Sequence, residues 1–199
     1  MSRGAEVSDA ASTKASLRIA LRRVRHDFLS GLSADQRDAA LARIDAAITP
    51  LIPGDAAVAG YVAQSDEPDV LPFLASLHAA GRRVLLPCVR RLDMEFSAWS
   101  PADPLVPGYA GIPMPQLGGD SGVPRFLLVP LLGFDRQGGR IGQGGGFYDR
   151  YLEHRPETKR LGIAWSAQEV DEVPSDPWDV ALTAVVTELE TIEVEPPSL

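Results

Sequence analysis

From Phe134 to Tyr151 the chain reads Phe-Asp-Arg-Gln-Gly-Gly-Arg-Ile-Gly-Gln-Gly-Gly-Gly-Phe-Tyr-Asp-Arg-Tyr, and here residue types and spacing could do chemistry. Glycines 138, 139, 142, 144 and 145 fall in a loop, and Gly146 opens a helix-like segment running to Glu153. The apolar run 125–132 before them reads as a buried strand. A strand, a glycine-rich turn and a helix start expose backbone N–H groups and let an anion approach closely. Arg136 and Arg140 flank the loop, and Asp149 lies just inside the helix. A polyanion carrying a divalent cation would match this set, and nucleotide phosphates are the obvious candidate. No Lys-Ser or Lys-Thr follows the glycines, so this is not a Walker A loop, and Phe147 occupies the third glycine position of the dinucleotide fingerprint. The competing reading is a flexible surface loop.

Other charged groups must be carried to that loop by the elements around it. Thr13 can cap a helix over 14–29, with Leu17, Leu21, Val24 and Phe28 as its apolar stripe. Lys14 and Arg18, four apart, share another face, which suits either a solvated surface or a phosphate. Lys14 is one of two lysines among nineteen basic residues. Ser33-Ala-Asp-Gln36 is a capping box for a second helix to about Ile48. A strand over 56–62 delivers the loop 63–68, with Asp66 and Glu67, to a sheet edge. Either acid could face a ligand there or merely open the next helix, expected over 68–80 and ended by Gly81.

Further strands are expected over 82–89, 94–99, 160–165 and 184–190. The Pro- and Gly-rich stretch 100–124 is too long for a plain connector, which predicts a structured excursion near the site around 108–115. The loop 173–180 holds Asp176 and Asp179. The alternation of strands and helices predicts a single three-layer α/β domain with a largely parallel sheet over 13–192, with residues 1–12 and 193–199 as disordered or frayed tails.

Composition narrows the function. A formal charge of −8 and a pI near 4.9 argue against non-specific nucleic-acid or anionic-membrane binding. One cysteine, Cys88, excludes an internal disulfide and reads as a buried apolar residue. No secretory leader or membrane-length apolar run is present, so a cytoplasmic protein is expected, as a monomer. His26, His78 and His154 lack metal-ligand spacing, which disfavours zinc, and no Gly-x-Ser-x-Gly elbow occurs. A hard cation with oxygen ligands is the metal the sequence invites, with Asp149 and Asp179 as its candidates.

The stretch 129–150 closely resembles the signature of the 5-formyltetrahydrofolate cyclo-ligase (5,10-methenyltetrahydrofolate synthetase) family. Lys14-Ala-Ser-Leu-Arg18, the segments 61–67 and 81–87, 162–168, Pro174, Asp179-Val180 and 185–188 resemble further parts of it in order. The resemblance implies ATP- and Mg2+-dependent closure of 5-formyltetrahydrofolate to 5,10-methenyltetrahydrofolate, with release of ADP and phosphate. It implies Lys14 and Arg18 on the phosphates, and a nucleotide wrapped by Arg140, Ile141, Gly142, Gln143, Gly144, Gly145, Gly146, Phe147 and Tyr148. Lys14, Arg140 and Tyr148 would be catalytic. Val62, Glu67 and 143–147 would contact the folate, and Asp149 and Asp179 the magnesium. Met114, Gln143, Phe147 and Trp178 depart from the usual residues of the family. These departures keep in view a repurposed relative that binds folate or nucleotide without turnover, or an unrelated ATP-dependent enzyme on the same scaffold.

Overall fold

A computed structural model describes residues 3–91 and 93–195, with side chains from 13 onward. In chain order the elements are α1 (Arg3–Ser30), α2 (Ala34–Ile48), β1 (Val58–Ala59), α3 (Leu71–Ala79), β2 (Val84–Arg90), β3 (Asp93–Ala98), β4 (Leu105–Pro107), β5 (Pro113–Pro115), β6 (Phe126–Pro130), β7 (Gly133–Phe134), β8 (Arg140–Ile141), α4 (Phe147–Leu152), β9 (Lys159–Ile163), β10 (Ala184–Val186) and β11 (Thr191–Glu193). Seven strands form one sheet in the order β11-β10-β9-β6-β1-β2-β3. The inner pairs are parallel, and the two edge pairs, β2–β3 and β10–β11, are antiparallel. The fold is the expected α/β sandwich with a mostly parallel sheet.

Strand β6 shows how the sheet is covered on both faces. Phe126 and Leu128 pack with Leu29, Ile44, Ile48 and Leu74 of α1, α2 and α3, while Leu127 and Val129 pack with Phe96 of β3 and with Tyr151 and Leu152 of α4. The period of two sends alternate residues into opposite cores, so the strand reads as one continuous apolar run. Ser33 caps α2 as expected, its hydroxyl accepting from the Gln36 N–H while the Gln36 side chain accepts from the Ser33 N–H.

Several boundaries differ from expectation. Helix α1 begins at Arg3, so Thr13 lies within it rather than capping it, and the helix takes in most of the stretch expected to be disordered. Its buried face is also not the most apolar one. Lys14, Leu21, Arg25 and Leu29 are buried, whereas Val24 is exposed. Strand β1 has two residues, and the Gly60 N–H beyond it still donates to the Leu85 carbonyl at 3.1 Å; a Cβ at Gly60 would meet Leu74 of α3 at 2.5 Å. The last strand divides, since Thr187 Oγ1 accepts from the N–H groups of Leu189 and Glu190 and forms a turn into β11. The excursion 100–124 folds as the β4–β5 hairpin.

Candidate functional site

The chain proceeds outward from β1 through β2 to β3, then returns to place β6 on the other side of β1. Ligands of open α/β sheets gather at such a reversal, outside the carboxyl ends of the strands. A cavity of about 860 Å³ opens there. Tyr61 and Val62 reach it after β1, Pro87 and Val89 from β2, and Pro130 and Leu131 from the end of β6.

The glycine stretch forms one wall and is held in shape by hydrogen bonds. Its first half is the β7–β8 hairpin. Buried Asp135 accepts from the N–H groups of Gln137, Gly139 and Val173 at 2.9, 2.8 and 2.8 Å, tying the hairpin to the 173–180 loop. Beyond the hairpin, Gly144 has φ +101° and Gly146 φ +63°, backbone that a side chain would strain. Helix α1 lies against this wall. Arg18 Nε donates to the Gly142 carbonyl at 3.0 Å, and Arg22 Nη2 to Gln143 Oε1 at 2.8 Å. Helix α4 has only six residues, so the anion-attracting charge comes chiefly from side chains.

Those side chains meet at one end of the cavity. Lys14 Nζ lies 2.6 Å from Asp176 Oδ2 and 2.5 Å from Asp179 Oδ2. Arg140 Nη2 lies 2.6 Å from Asp149 Oδ1, which also accepts from the Val180 N–H at 3.2 Å. The Asp176 N–H donates to Asp179 Oδ2 at 2.8 Å. Asp149 and Asp179, far apart in sequence, thus adjoin the same few residues of the 173–180 loop. Burial alone would lower the Lys14 pKa, but its bonds to Asp176 and Asp179 and their charges outweigh that and hold it above the ordinary 10.5. Arg136 is not part of this group. It turns outward to Glu169 and Glu190, each at 2.6 Å.

The lining also holds apolar side chains, Val62, Val89, Met94, Ile112, Met114 and Phe147, and a further acid, Glu67. Glu67 Oε2 accepts from the Gln64 N–H at 3.0 Å, Oε1 is 3.5 Å from Gln143 Nε2, and Arg25 Nη1 is 3.6 Å from Oε1. Burial pushes the Glu67 carboxyl above its ordinary 4.5, and the Gln64 N–H, Arg25 and Gln143 pull against it. Tyr148 and Tyr61 are likewise pushed up, by burial and then by the charge of Glu67. Of the two acids left open by the sequence, Glu67 faces the cavity; Asp66 points to exposed His26 at 3.2 Å. The excursion reaches the mouth, where the Tyr109 ring meets Phe147 edge-on at 5.0 Å and Arg150 lies over the other ring at 5.1 Å.

The structure therefore brings Lys14, Arg18, Val62, Glu67, the run from Arg140 to Tyr148, Asp149 and Asp179 to one cavity. Sequence reasoning missed Arg25 and left Asp176 without a partner. A signal existed for Arg25: Lys14, Arg18, Leu21 and Arg25 fall within roughly 60° of one another on a 3.6-residue helix.

The chain is similar to known proteins in sequence and in fold. The sequence model described as the 5-formyltetrahydrofolate cyclo-ligase family matches residues 10–188. A 5-formyltetrahydrofolate cyclo-ligase of Mycolicibacterium smegmatis is 36% identical over 141 residues, covering 65% of this chain and 72% of the relative. That of Escherichia coli K12 is 35% identical over 139 residues, covering 65% and 76%. The solved structure of Aquifex aeolicus 5,10-methenyltetrahydrofolate synthetase superposes with a TM-score of 0.77 at 29% identity, over 94% of this chain and 95% of that one. The chain belongs to the 5-formyltetrahydrofolate cyclo-ligase family.

Proposed function

We propose that this protein converts 5-formyltetrahydrofolate to 5,10-methenyltetrahydrofolate with consumption of ATP, inside the cavity at the β1/β6 reversal. The observation that carries this reading is the mixed lining of that cavity. Ion pairs of Lys14 with Asp176 and Asp179 and of Arg140 with Asp149, and apolar side chains together with the acid Glu67, line the same cavity. A polyphosphate and a heteroaromatic ring system need opposite surroundings, and both are supplied.

The formyl oxygen attacks the γ-phosphorus and ADP departs. The anilino nitrogen N10 then closes on the activated formyl carbon, and the former formyl oxygen leaves within inorganic phosphate. Little covalent work falls to the protein. Its tasks are alignment, neutralisation of charge and exclusion of water. Lys14 and Arg18 hold phosphate oxygens from α1, and the run from Arg140 to Tyr148 wraps the nucleotide. Lys14, Arg140 and Tyr148, which line the cavity, would be the catalytic side chains. Val62, Glu67 and Phe147 seat the folate.

Asp149 and Asp179 would hold Mg2+. No cluster of three or more His, Cys, Asp or Glu suited to a metal occurs among the described residues. The donor set nevertheless fits magnesium, which often takes one or two carboxylates and completes its shell with phosphates and water. The bonds to Asp149 and Asp179 described above each use a single oxygen. When bound, magnesium would neutralise phosphate charge. No helix among the described residues is long and apolar enough to cross a membrane, and we read the protein as a cytoplasmic monomer.

The test is absorbance at the methenyl-folate band with protein, magnesium, ATP and 5-formyltetrahydrofolate, omitting each in turn. A rise that needs all four is expected. No rise, with either substrate still raising the melting temperature, would replace this reading with that of a repurposed binder.

A further inference from the structure

Arg25 is 3% exposed and is not among the residues lining the cavity, yet its guanidinium lies against an acid that is. Its Nη1 is 3.6 Å from Glu67 Oε1 and donates to the Leu131 carbonyl at 3.4 Å, while its Nε is buried without a hydrogen-bond partner. A buried guanidinium is costly unless something gains from its charge. Its two neighbours identify the beneficiary. Leu131 follows β6, Glu67 follows β1, and Arg25 itself rises from α1, so the side chain sits beside the reversal point and links the segments that form it.

We propose that Arg25 is a positioning residue for the folate: from behind the cavity wall it keeps Glu67 ionised and aimed into the cavity. The proposal rests on the folate reading of that cavity. A reduced pteridine offers ring and exocyclic N–H donors, and an ionised carboxylate presents acceptors only, whereas a protonated one turns a donor toward them. Glu67 needs help to stay charged because the groups around it do not supply a second cation in contact. Tyr61 from its own segment and Tyr148 from α4 face it, each itself kept neutral by burial, and Gln143 from the glycine loop is a neutral amide already bonded to Arg22. Of its side-chain partners, Arg25 alone carries positive charge. Exposed His26, the next residue along α1, is engaged by Asp66 instead.

The test uses the full chain and three variants, with KM for 5-formyltetrahydrofolate and for ATP measured between pH 6 and 9. Arg25→Met is expected to raise the folate KM at least tenfold at pH 7, to recover most of that by pH 9 as Glu67 ionises, and to leave the ATP KM within twofold. Arg25→Lys, which retains the charge, is expected to restore much of the folate affinity at pH 7 and stands in if the methionine variant does not fold. Carbon NMR of 13C-labelled glutamate should show the Glu67 carboxyl titrating at higher pH in Arg25→Met than in wild type, a signature that lost packing alone would not give. An unchanged Glu67 titration, or a folate KM raised equally at every pH, would overturn the proposal. Glu67→Gln separates it from the reading beneath it: if that variant binds folate normally, Glu67 does not contact the substrate, whereas a weakened Glu67→Gln beside an unaffected Arg25→Met rejects the role of Arg25 alone.

Discussion

The two ends of the cavity handle charge in opposite ways. At the phosphate end, Lys14 faces two carboxylates, Arg140 faces Asp149, and backbone N–H groups of Asp176 and Val180 join in. At the folate end a single carboxylate stands in an apolar wall, and one buried arginine supports it. Asp179 and Asp149 each accept a backbone N–H besides their cation, so each keeps one partner if the cation is lost. In an isolated buried pair, removal of one partner strands the other. On the proposed reading, the ion pairs of Lys14 and Arg140 would exchange partners as a polyanion enters, while Glu67 and Arg25 would stay paired.

The largest effect is expected where the network is thinnest. Arg140 is itself nearly buried, with a 7% exposed side chain, and Asp149 has no other side-chain cation in the contacts described. Arg140→Met should destabilise the fold by about 3 kcal/mol, as broken buried pairs do, and lower turnover at saturating substrates by about a hundredfold. Denaturant melts and steady-state rates check both. A variant of normal stability and rate would mean that Arg140 belongs to neither the network nor the transfer. Lys14→Ala comes next. Asp176 and Asp179 keep their mutual N–H bond, so the fold should persist while the ATP KM rises by about tenfold to a hundredfold, the worth of one charge-assisted hydrogen bond. The folate KM should stay level; if it rose equally, the division of the cavity would fail.

Gly144→Ala probes the backbone on which the phosphate end rests. Its φ of +101° disfavours any side chain, and a Cβ would press on the Arg18 guanidinium at 3.4 Å. A cost of about 1–3 kcal/mol is expected, together with a higher ATP KM as Arg18 gives way. A fully stable variant with an unchanged ATP KM would show that the loop relaxes freely.

What the sequence disclosed follows the same division. Glycine loop, Asp149 and α4 are contiguous, so their joint purpose could be read from one stretch. Lys14 and Arg18 were legible as a pair four apart, but their burial was not, because apolar periodicity assigned the inward face to Val24, and the structure exposes it. The cations took that face because it meets the glycine loop and the acids of the 173–180 loop, contacts more than a hundred positions away in sequence. Arg25 and Glu67 are 42 positions apart on unrelated elements, and no local pattern links them. The excursion declared itself through its prolines, and the antiparallel edge β11 did not, because three residues after a turn carry too little pattern.

Asp45 on α2 supplies the smallest effect and the sharpest control, since it is a partly buried carboxylate without an arginine. Burial, followed by the charge of Asp69, raises its pKa from 3.8 to about 6. The sign follows from proton binding. Between those values the folded protein holds the proton more tightly than the unfolded chain, so stability declines as pH rises through that window and stays reduced above it. Asp45→Asn mimics the protonated form. The ceiling set by that gap is about 3 kcal/mol, and solvent screening of a partly exposed group reduces it to about 1 kcal/mol. The variant should therefore melt about 2–4 °C higher than wild type at pH 7.5 and no higher at pH 3.5. Equal gains at both pH values would mean that the amide improves packing rather than relieving charge. The comparison with Glu67 would then lose its control.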